Sequence, residues 1–316
     1  MLHRALLHRR LARSAAAALG SLLLARSAAA ALGALLLASC ATTPSGAAFE
    51  DADPFANLSP DGQLYFSLHV PSCMPILSAL ESAKNAKNNA GMDMVKRTRT
   101  AAGMIYLEPG SRKFLLDARG SYPLWQANIS FTLNPDWRKT KSDRGFPYWR
   151  SDREKLSVLL TGKNALVSDG NPYAEKKGVA VPDYASRLMA GSALTAWIDD
   201  PAPLLSGGLG PAGALLRLPV SLAYLRVESP DEAGLYRLGL HLESKSSSEA
   251  RATLALVSLL RRMASIGKDS IGALAADMFL SQVPQIDDRW VSFSSVPQTA
   301  DRIALLLSSL IVYFDH

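Results

Sequence analysis

Short words of this sequence recur at nearly constant spacing, and a chain made of two similar halves has far fewer folds open to it than an arbitrary chain of its length. Val181-Pro182-Asp183-Tyr184-Ala185-Ser186-Arg187-Leu188 aligns with Val296-Pro297-Gln298-Thr299-Ala300-Asp301-Arg302-Ile303, 115 residues later. Tyr106 and Tyr224 hold matching places in two strand-like runs 118 apart, and Pro75-Ile76-Leu77-Ser78 finds a counterpart 128 residues on in Pro203-Leu204-Leu205-Ser206. Each word is short. Together they point to a unit of about 120 residues present twice.

Each half carries the same order of local signals. In the first, residues 64–70 are dense in strand formers and stop at Pro71. From Pro75 the apolar residues Ile76, Leu77, Leu80 and Ala83 recur at helical spacing. Residues 102–107 and 113–119 are strands around the Pro109-Gly110 turn. Residues 121–133 read as a helix or another strand, and Trp125, Ile129 and Leu133, four apart, favour the helix; short strands follow at 156–160 and 165–168. The second half offers strands at 193–198, 222–227, 235–242 and 290–293, a helix over 249–263 with Ala252, Leu256, Leu259 and Leu260 on its apolar face, and an added helix over 268–282. The closing helix, 299–312, is so apolar that it should pack on several sides and join the halves. The order strand, helix, hairpin, helix, strand matches a split βαβ motif. The expected class is therefore α+β, two such units with antiparallel sheets and helices on one face.

The first forty residues are of a different kind. The run from Leu11 to Gly20 recurs as Leu24 to Gly33, and the second copy with Arg26 already supplies a positive start, an apolar stretch and small residues before a cut. It closes on Leu37-Ala38-Ser39-Cys40. This resembles the lipobox of a bacterial lipoprotein signal peptide, whose cysteine is acylated before the leader is cleaved on its N-terminal side. The resemblance implies a signal peptide over 1–39, palmitate or other acyl chains on Cys40, a flexible tether over 40–62, and a periplasm-facing place in the cell envelope. Ala41, where an aspartate would favour retention, fits the outer membrane better than the inner. The competing reading is an uncleaved transmembrane helix over 14–39, which would bury Arg26 near mid-membrane at a cost of roughly 2.5–3.5 kcal/mol. The body, divided as units 63–178 and 179–316, resembles uncharacterised bacterial lipoproteins built from duplicated strand and helix units, and that likeness assigns no residue a role.

Charge narrows the partners. The formal charge of +6 includes Arg4, Arg9, Arg10, Arg13 and Arg26, all before Cys40, and without them 29 basic residues face 28 acidic ones. A body so nearly neutral lacks the excess of positive charge that nucleic acid requires. Cys73 would be the one thiol left beside an acylated Cys40, so no disulfide framework is available. Between its flanking prolines it reads as a small buried residue in a strand-to-helix connection.

No catalytic or cofactor motif survives its context. Gly208-Leu209-Gly210-Pro211-Ala212-Gly213 has the letters of a dinucleotide loop, but it interrupts a helical run and holds a proline where backbone donors are needed. Ser265-Ile266-Gly267-Lys268 has the spacing of a serine–lysine pair at what reads as a helix end. His69 and His241 have no second ligand at metal-binding spacing, and Asp199-Asp200 and Asp287-Asp288 are adjacent pairs whose side chains diverge on a strand. Neither a metal nor a cofactor is expected.

One segment stands out as a candidate surface. Residues 136–155 interleave Trp137, Phe146, Tyr148 and Trp149 with Arg138, Lys139, Lys141, Arg144, Arg150, Arg153 and Lys155, and Trp125 lies just upstream. Such a mixture suits the boundary of an anionic lipid surface, a glycan strand, or a groove for an apolar ligand with a charged head. The bland reading is a connecting loop pinned by its aromatics. The sequence thus leads to a membrane-anchored lipoprotein with a non-enzymatic binding or structural role, meeting lipid, glycan or an envelope protein. A carrier of lipid or another amphiphile in a cleft between the units, and an envelope hydrolase, are the alternatives.

Overall fold

A computed structural model describes residues 53, 55–83, 90–108, 111–142, 145–172, 178–201, 219–264, 278 and 282–313. Strand β1, Leu64–His69, runs directly into helix α1, Val70–Ala83, and helix α2, Ala90–Arg97, precedes the hairpin of β2, Thr98–Glu108, and β3, Ser111–Gly120. Helix α3, Leu124–Leu133, is followed by four short strands: β4, Arg138–Lys141; β5, Pro147–Ser151; β6, Leu156–Leu160; and β7, Asn164–Ser168. Helix α4, Asp183–Met189, leads into β8, Ser192–Asp199, and β9, Leu222–Glu228, pairs with β10, Leu238–Glu243. Helix α5, Ser247–Ala264, short strand β11, Gln285–Asp287, strand β12, Trp290–Ser294, and helix α6, Ala300–Tyr313, complete the described chain. The class is α+β.

All twelve strands join one sheet in the order β11-β12-β10-β9-β8-β1-β2-β3-β7-β6-β5-β4, and every neighbouring pair is antiparallel. The expectation of separate sheets gives way here. Strands β1 and β8 pair with each other, Leu64 opposite Ile198 and Leu68 opposite Leu194. Left unpaired, each would offer an apolar edge to any passing strand.

Because strand residues alternate in direction, the two faces have different covers. On one, Leu64, Leu194, Ala223, Leu238, Val291 and their neighbours pack under α1, α5 and α6, while Ala101, Ala118, Ala165 and Val167 pack under α2 and α3 through Met94, Ala127 and Phe131. On the other, the row Met104, Tyr65, Trp197 and Tyr224 lies beneath Phe55, Leu58 and the Ala185 and Leu188 side chains of α4. The helices are therefore not confined to one face, because this aromatic row also needs a lid. Trp197 stacks on Tyr65 with ring centroids 5.3 Å apart and tilts against Phe55 at 5.1 Å. Burying each such ring contributes about 1.5–3 kcal/mol. Residues 55–62, which the sequence groups with the tether, thus belong to the body. The buried Asp117 carboxylate holds them there by accepting from Asn57 Nδ2 at 2.8 Å and pairing with Arg119 at 3.3 Å.

Several boundaries move for local reasons. Helix α1 begins at Val70, so Pro71 sits in its first turn, where the missing N–H is harmless, and Cys73 lies inside the helix and not in a connection. Pro75 removes only the bond to the Pro71 carbonyl. A serine-rich stretch caps α5: Ser246 Oγ accepts from the Glu249 N–H at 3.3 Å, and the Glu249 carboxylate accepts from the Lys245 N–H at 2.9 Å. Its buried face is Ala250 and Thr253, whereas Ala252 is exposed. Helix α6 buries Ile303, Ala304 and Leu306 and packs on α1, joining the halves as expected, but Leu305 is 55% exposed, so the helix is not enclosed on all sides. The added helix over 268–282 lies almost entirely outside the described residues.

The end of β3 leaves no room for a side chain. A Cβ on Gly120 would stand 2.1 Å from the Arg97 carbonyl oxygen, which is backbone and cannot swing aside. Gly120→Ala should destabilise the fold by about 1–3 kcal/mol in urea unfolding, the range of overpacked core sites.

Candidate functional site

Helix α3 is uncharged, with its large apolar side chains on both its inner and its outer face. Its sequence, Leu124-Trp125-Gln126-Ala127-Asn128-Ile129-Ser130-Phe131-Thr132-Leu133, contains no charge. Gln126, Ala127 and Phe131 are buried against the sheet, yet Leu124, Trp125, Ile129 and Leu133 are exposed by 40, 63, 50 and 78%. The four-residue spacing that marks the helix in the sequence is thus the spacing of its outer face. Neither end carries a side-chain cap, so packing holds the helix: Pro123 precedes it and Asn134 follows. Trp125, Ile129 and Leu133 follow one another at single-turn spacing, and a row of exposed apolar side chains of this kind commonly marks an interaction site.

The aromatic–basic segment is a β-hairpin, and alternation splits it between two faces. Trp149, opposite Lys139, turns toward α3, stacks on Phe131 at 5.2 Å and donates from Nε1 to Asn128 Oδ1 at 3.1 Å. Trp137 is buried against Phe131 at 4.7 Å, and Tyr148 is buried as well. Arg138 and Arg150, opposite each other on the far side of the hairpin, both pair with Asp152, at 2.9 and 3.1 Å. These are exposed pairs, worth little. Arg144 lies outside the described residues. Of the aromatics that the sequence singles out, Trp125 and Phe146 face solvent; Trp137 and Trp149 pack beneath α3, and Tyr148 is buried on the opposite side of the hairpin from Trp149. What the sequence missed is that Leu124, Ile129 and Leu133 join Trp125 in the outer row of α3; Lys139 and Lys141, exposed along β4, and Phe146, 51% exposed at the hairpin turn, belong to the segment it picked out.

A second feature lies at the β1–β8 seam, on the face that α4 covers in part. A half-open cavity of about 380 Å³ is lined by Ser67, Ser72, Thr100, Thr195, Ser229 and His69 among others. Ser72 Oγ and His69 Nδ1 lie 2.8 Å apart, and Ser229 Oγ donates to Ser72 Oγ at 3.3 Å. A serine beside a histidine is half of a nucleophilic device. The cavity-lining residues include no carboxylate to orient the imidazole, and Ser72 occupies the first turn of α1 with His69 in the cap position, which explains the contact without catalysis.

The remaining sequence candidates have structural roles. Cys73 is buried, its Sγ donating to the Ala193 carbonyl at 2.8 Å, and burial pushes the thiol up to about 12, so it stays protonated at neutral pH. Among the described residues no group of three or more acids, histidines or cysteines is placed to hold a metal ion. The glycine-rich 208–213 and the Ser265–Lys268 words, like Cys40, lie outside the described residues.

His241 is packed among Tyr184 and Ser292, each within 3.0 Å of Nδ1, with Trp290 stacked on Tyr184 at 4.2 Å. Burial, aided by the Arg226 guanidinium, pushes its imidazole down to about 4. The unfolded chain, with an ordinary histidine near 6.5, takes up a proton first as pH falls. Stability is therefore full above about pH 6.5, falls as the pH approaches 4, and loses nothing more from this group below that. Allowing for partial solvation, the loss should be about 2 kcal/mol. Unfolding of the wild type and His241→Asn compared at pH 7.5 and 4.5 should show a smaller pH effect in the variant by that amount.

No family model and no curated protein matches the chain. Solved structures do. Crystal form III of TP0453 matches with a TM-score of 0.58 at 17% identity, over 82% of this chain and 98% of that one. Crystal forms I and IV of TP0453 match at TM-scores of 0.57 and 18% identity, over 83 and 84% of this chain and 98 and 100% of theirs. The likeness is one of fold.

Proposed function

We propose that this chain is a lipoprotein of the bacterial envelope, anchored through acyl chains on Cys40, with a non-enzymatic binding or structural role exerted at the lipid surface itself. The observation that carries the surface role is the outer face of α3. Four large apolar side chains are 40–78% exposed there, and each that leaves water gains about 1–2 kcal/mol in proportion to its exposure. Lys139 and Lys141, exposed beside them, have no acidic partner among the described residues and suit the anionic headgroups of a leaflet. A ten-residue helix is about 15 Å long, far short of a bilayer, so it would lie in the interface and not cross. Among the described residues no helix is long and apolar enough to span a membrane.

The tether permits this seating. Residues 41–52 reach about 40 Å when extended. Asp53, whose carbonyl accepts from Arg119, sits over β3, and β4 is four strands away, about 19 Å. Adding about 10 Å to pass from one side of the sheet to the helix layer leaves slack.

The doubled architecture fits the same reading. From the seam outward, β1-β2-β3-β7-β6 mirrors β8-β9-β10-β12-β11, and α4 follows β7 as α6 follows β12. We infer an ancestral duplication of one strand-helix-hairpin-helix-strand unit. Among the described residues, β4 and β5 have no counterpart in the second half. The carrier reading finds less support, because the seam cavity is lined by hydroxyls where an acyl chain needs apolar walls.

Labelled palmitate should enter the wild-type protein in growing cells and not the Cys40→Ser variant; incorporation into both, or neither, would contradict the anchor. Separately, protein lacking the acyl chains should co-sediment with vesicles containing an anionic lipid. The combined changes Trp125→Ser, Ile129→Ser and Leu133→Ser should weaken that binding by tenfold or more, about 1.4 kcal/mol or above, while leaving the unfolding midpoint nearly unchanged.

A further inference from the structure

We propose that the seam cavity is a binding site for a small, neutral, hydroxyl-rich ligand, a saccharide of one or two rings or a polyol of that size. The cavity is built where β2, β1 and β8 run side by side. Ser67 on β1 is opposite Thr195 on β8, and His69 on β1 is opposite Thr100 on β2, so alternation turns all four toward the same face. Thr195 is 1% exposed and its Oγ1 has no hydrogen-bond partner, although it lines the cavity. A buried hydroxyl left in that state is destabilising and is rare in folded proteins. It is a donor and acceptor waiting for a group that enters from the cavity.

The walls are fixed in advance. The Ser229 N–H donates to the Gly191 carbonyl at 3.1 Å, and the Tyr236 hydroxyl donates to the Ser72 carbonyl at 2.9 Å, which holds the start of α1. Arg226 Nε donates to Ser192 Oγ at 2.9 Å, and Arg226 is itself paired with Glu228 at 3.3 Å, so this guanidinium already has a carboxylate partner. Gly191 turns the chain at φ +72°, a conformation that favours glycine, and brings Ser192 beside β1.

The lining selects the ligand. None of the lining residues is an acid, a lysine or an arginine, so a strongly charged molecule would lose hydration without a counter-charge. Hydroxyls both donate and accept, as the hydroxyls of a sugar do. Met189 adds an apolar contact for the C–H face of a ring. Size excludes a lone ion: 380 Å³ is about twelve times the share of one water in the liquid, room for one or two sugar rings and within the range of small-molecule sites. This site is independent of the lipid-facing helix, which lies over the other face of the sheet.

The test is calorimetric titration of the full-length protein in a detergent without a sugar head group, using glucose, N-acetylglucosamine, maltose and glycerol, with inorganic phosphate as the charged comparator. At least one saccharide should saturate a single site, and Thr195→Val should weaken it about tenfold, the effect of one lost hydrogen bond to a buried group. The unliganded variant should melt no lower than the wild type, since the change removes an unpaired hydroxyl. Ser67→Ala, across the seam from Thr195, provides a second variant should the first fail to fold. No saturation by any of the four, equal affinity in both folded variants, or tighter binding of phosphate than of every saccharide would overturn the proposal.

Discussion

The pairing of β1 with β8 is the contact on which the architecture rests. Their antiparallel register makes one continuous twelve-stranded sheet, and both sides of the seam are reinforced. On one face Tyr65 and Trp197 stack across it; on the other, Cys73 of α1 reaches the Ala193 carbonyl of β8, and α6 packs on α1. Elements remote in sequence are thus locked together by backbone hydrogen bonds and by two layers of side chains. A sheet this wide has two edges far from the seam, β11 and β4. The β4 edge carries lysines and the β11 residues are all exposed, the kind of surface that discourages edge-to-edge association.

The two faces of the sheet divide the labour. One is sealed by helices, and among them α3 is anomalous, since it buries Phe131 and Ala127 inward while holding Trp125, Ile129 and Leu133 outward. The other is sealed over its aromatic row by residues 55–58 and α4, and where that cover ends the floor changes from Tyr65, Trp197 and Tyr224 to Ser67 and Thr195. An apolar outer surface on one face and a hydroxyl-lined hollow on the other suit a protein that lies against lipid with one side and meets the aqueous compartment with the other.

Much of this was legible in the sequence. Strand-dense runs ending at Pro71 or turning at Pro109-Gly110 report their own boundaries, and the serines before Glu249 report a cap. What stayed hidden depends on three-dimensional placement. The spacing of Trp125, Ile129 and Leu133 says helix but not which face is buried, because Ala127 and Phe131 satisfy the same spacing on the other side. Residues 136–155 read as a patch because composition ignores the alternation that sends Trp149 and Arg150 to opposite faces. The seam cavity draws Ser67, Thr100, Thr195 and Ser229 from four distant segments, none with a recognisable word of its own.

The central claim is that α3 is the lipid-facing element, and depth measurement addresses it directly. Cys73 is buried and its thiol held protonated, so a spin label can be placed at a single introduced cysteine in a Cys40→Ser background bound to anionic vesicles. A label at Ile129→Cys should sit within the headgroup and upper acyl region, shielded from a water-soluble relaxation agent and accessible to oxygen. A label at Val283→Cys, 90% exposed before β11, should remain fully in water. Equal aqueous accessibility at the two positions would contradict the account.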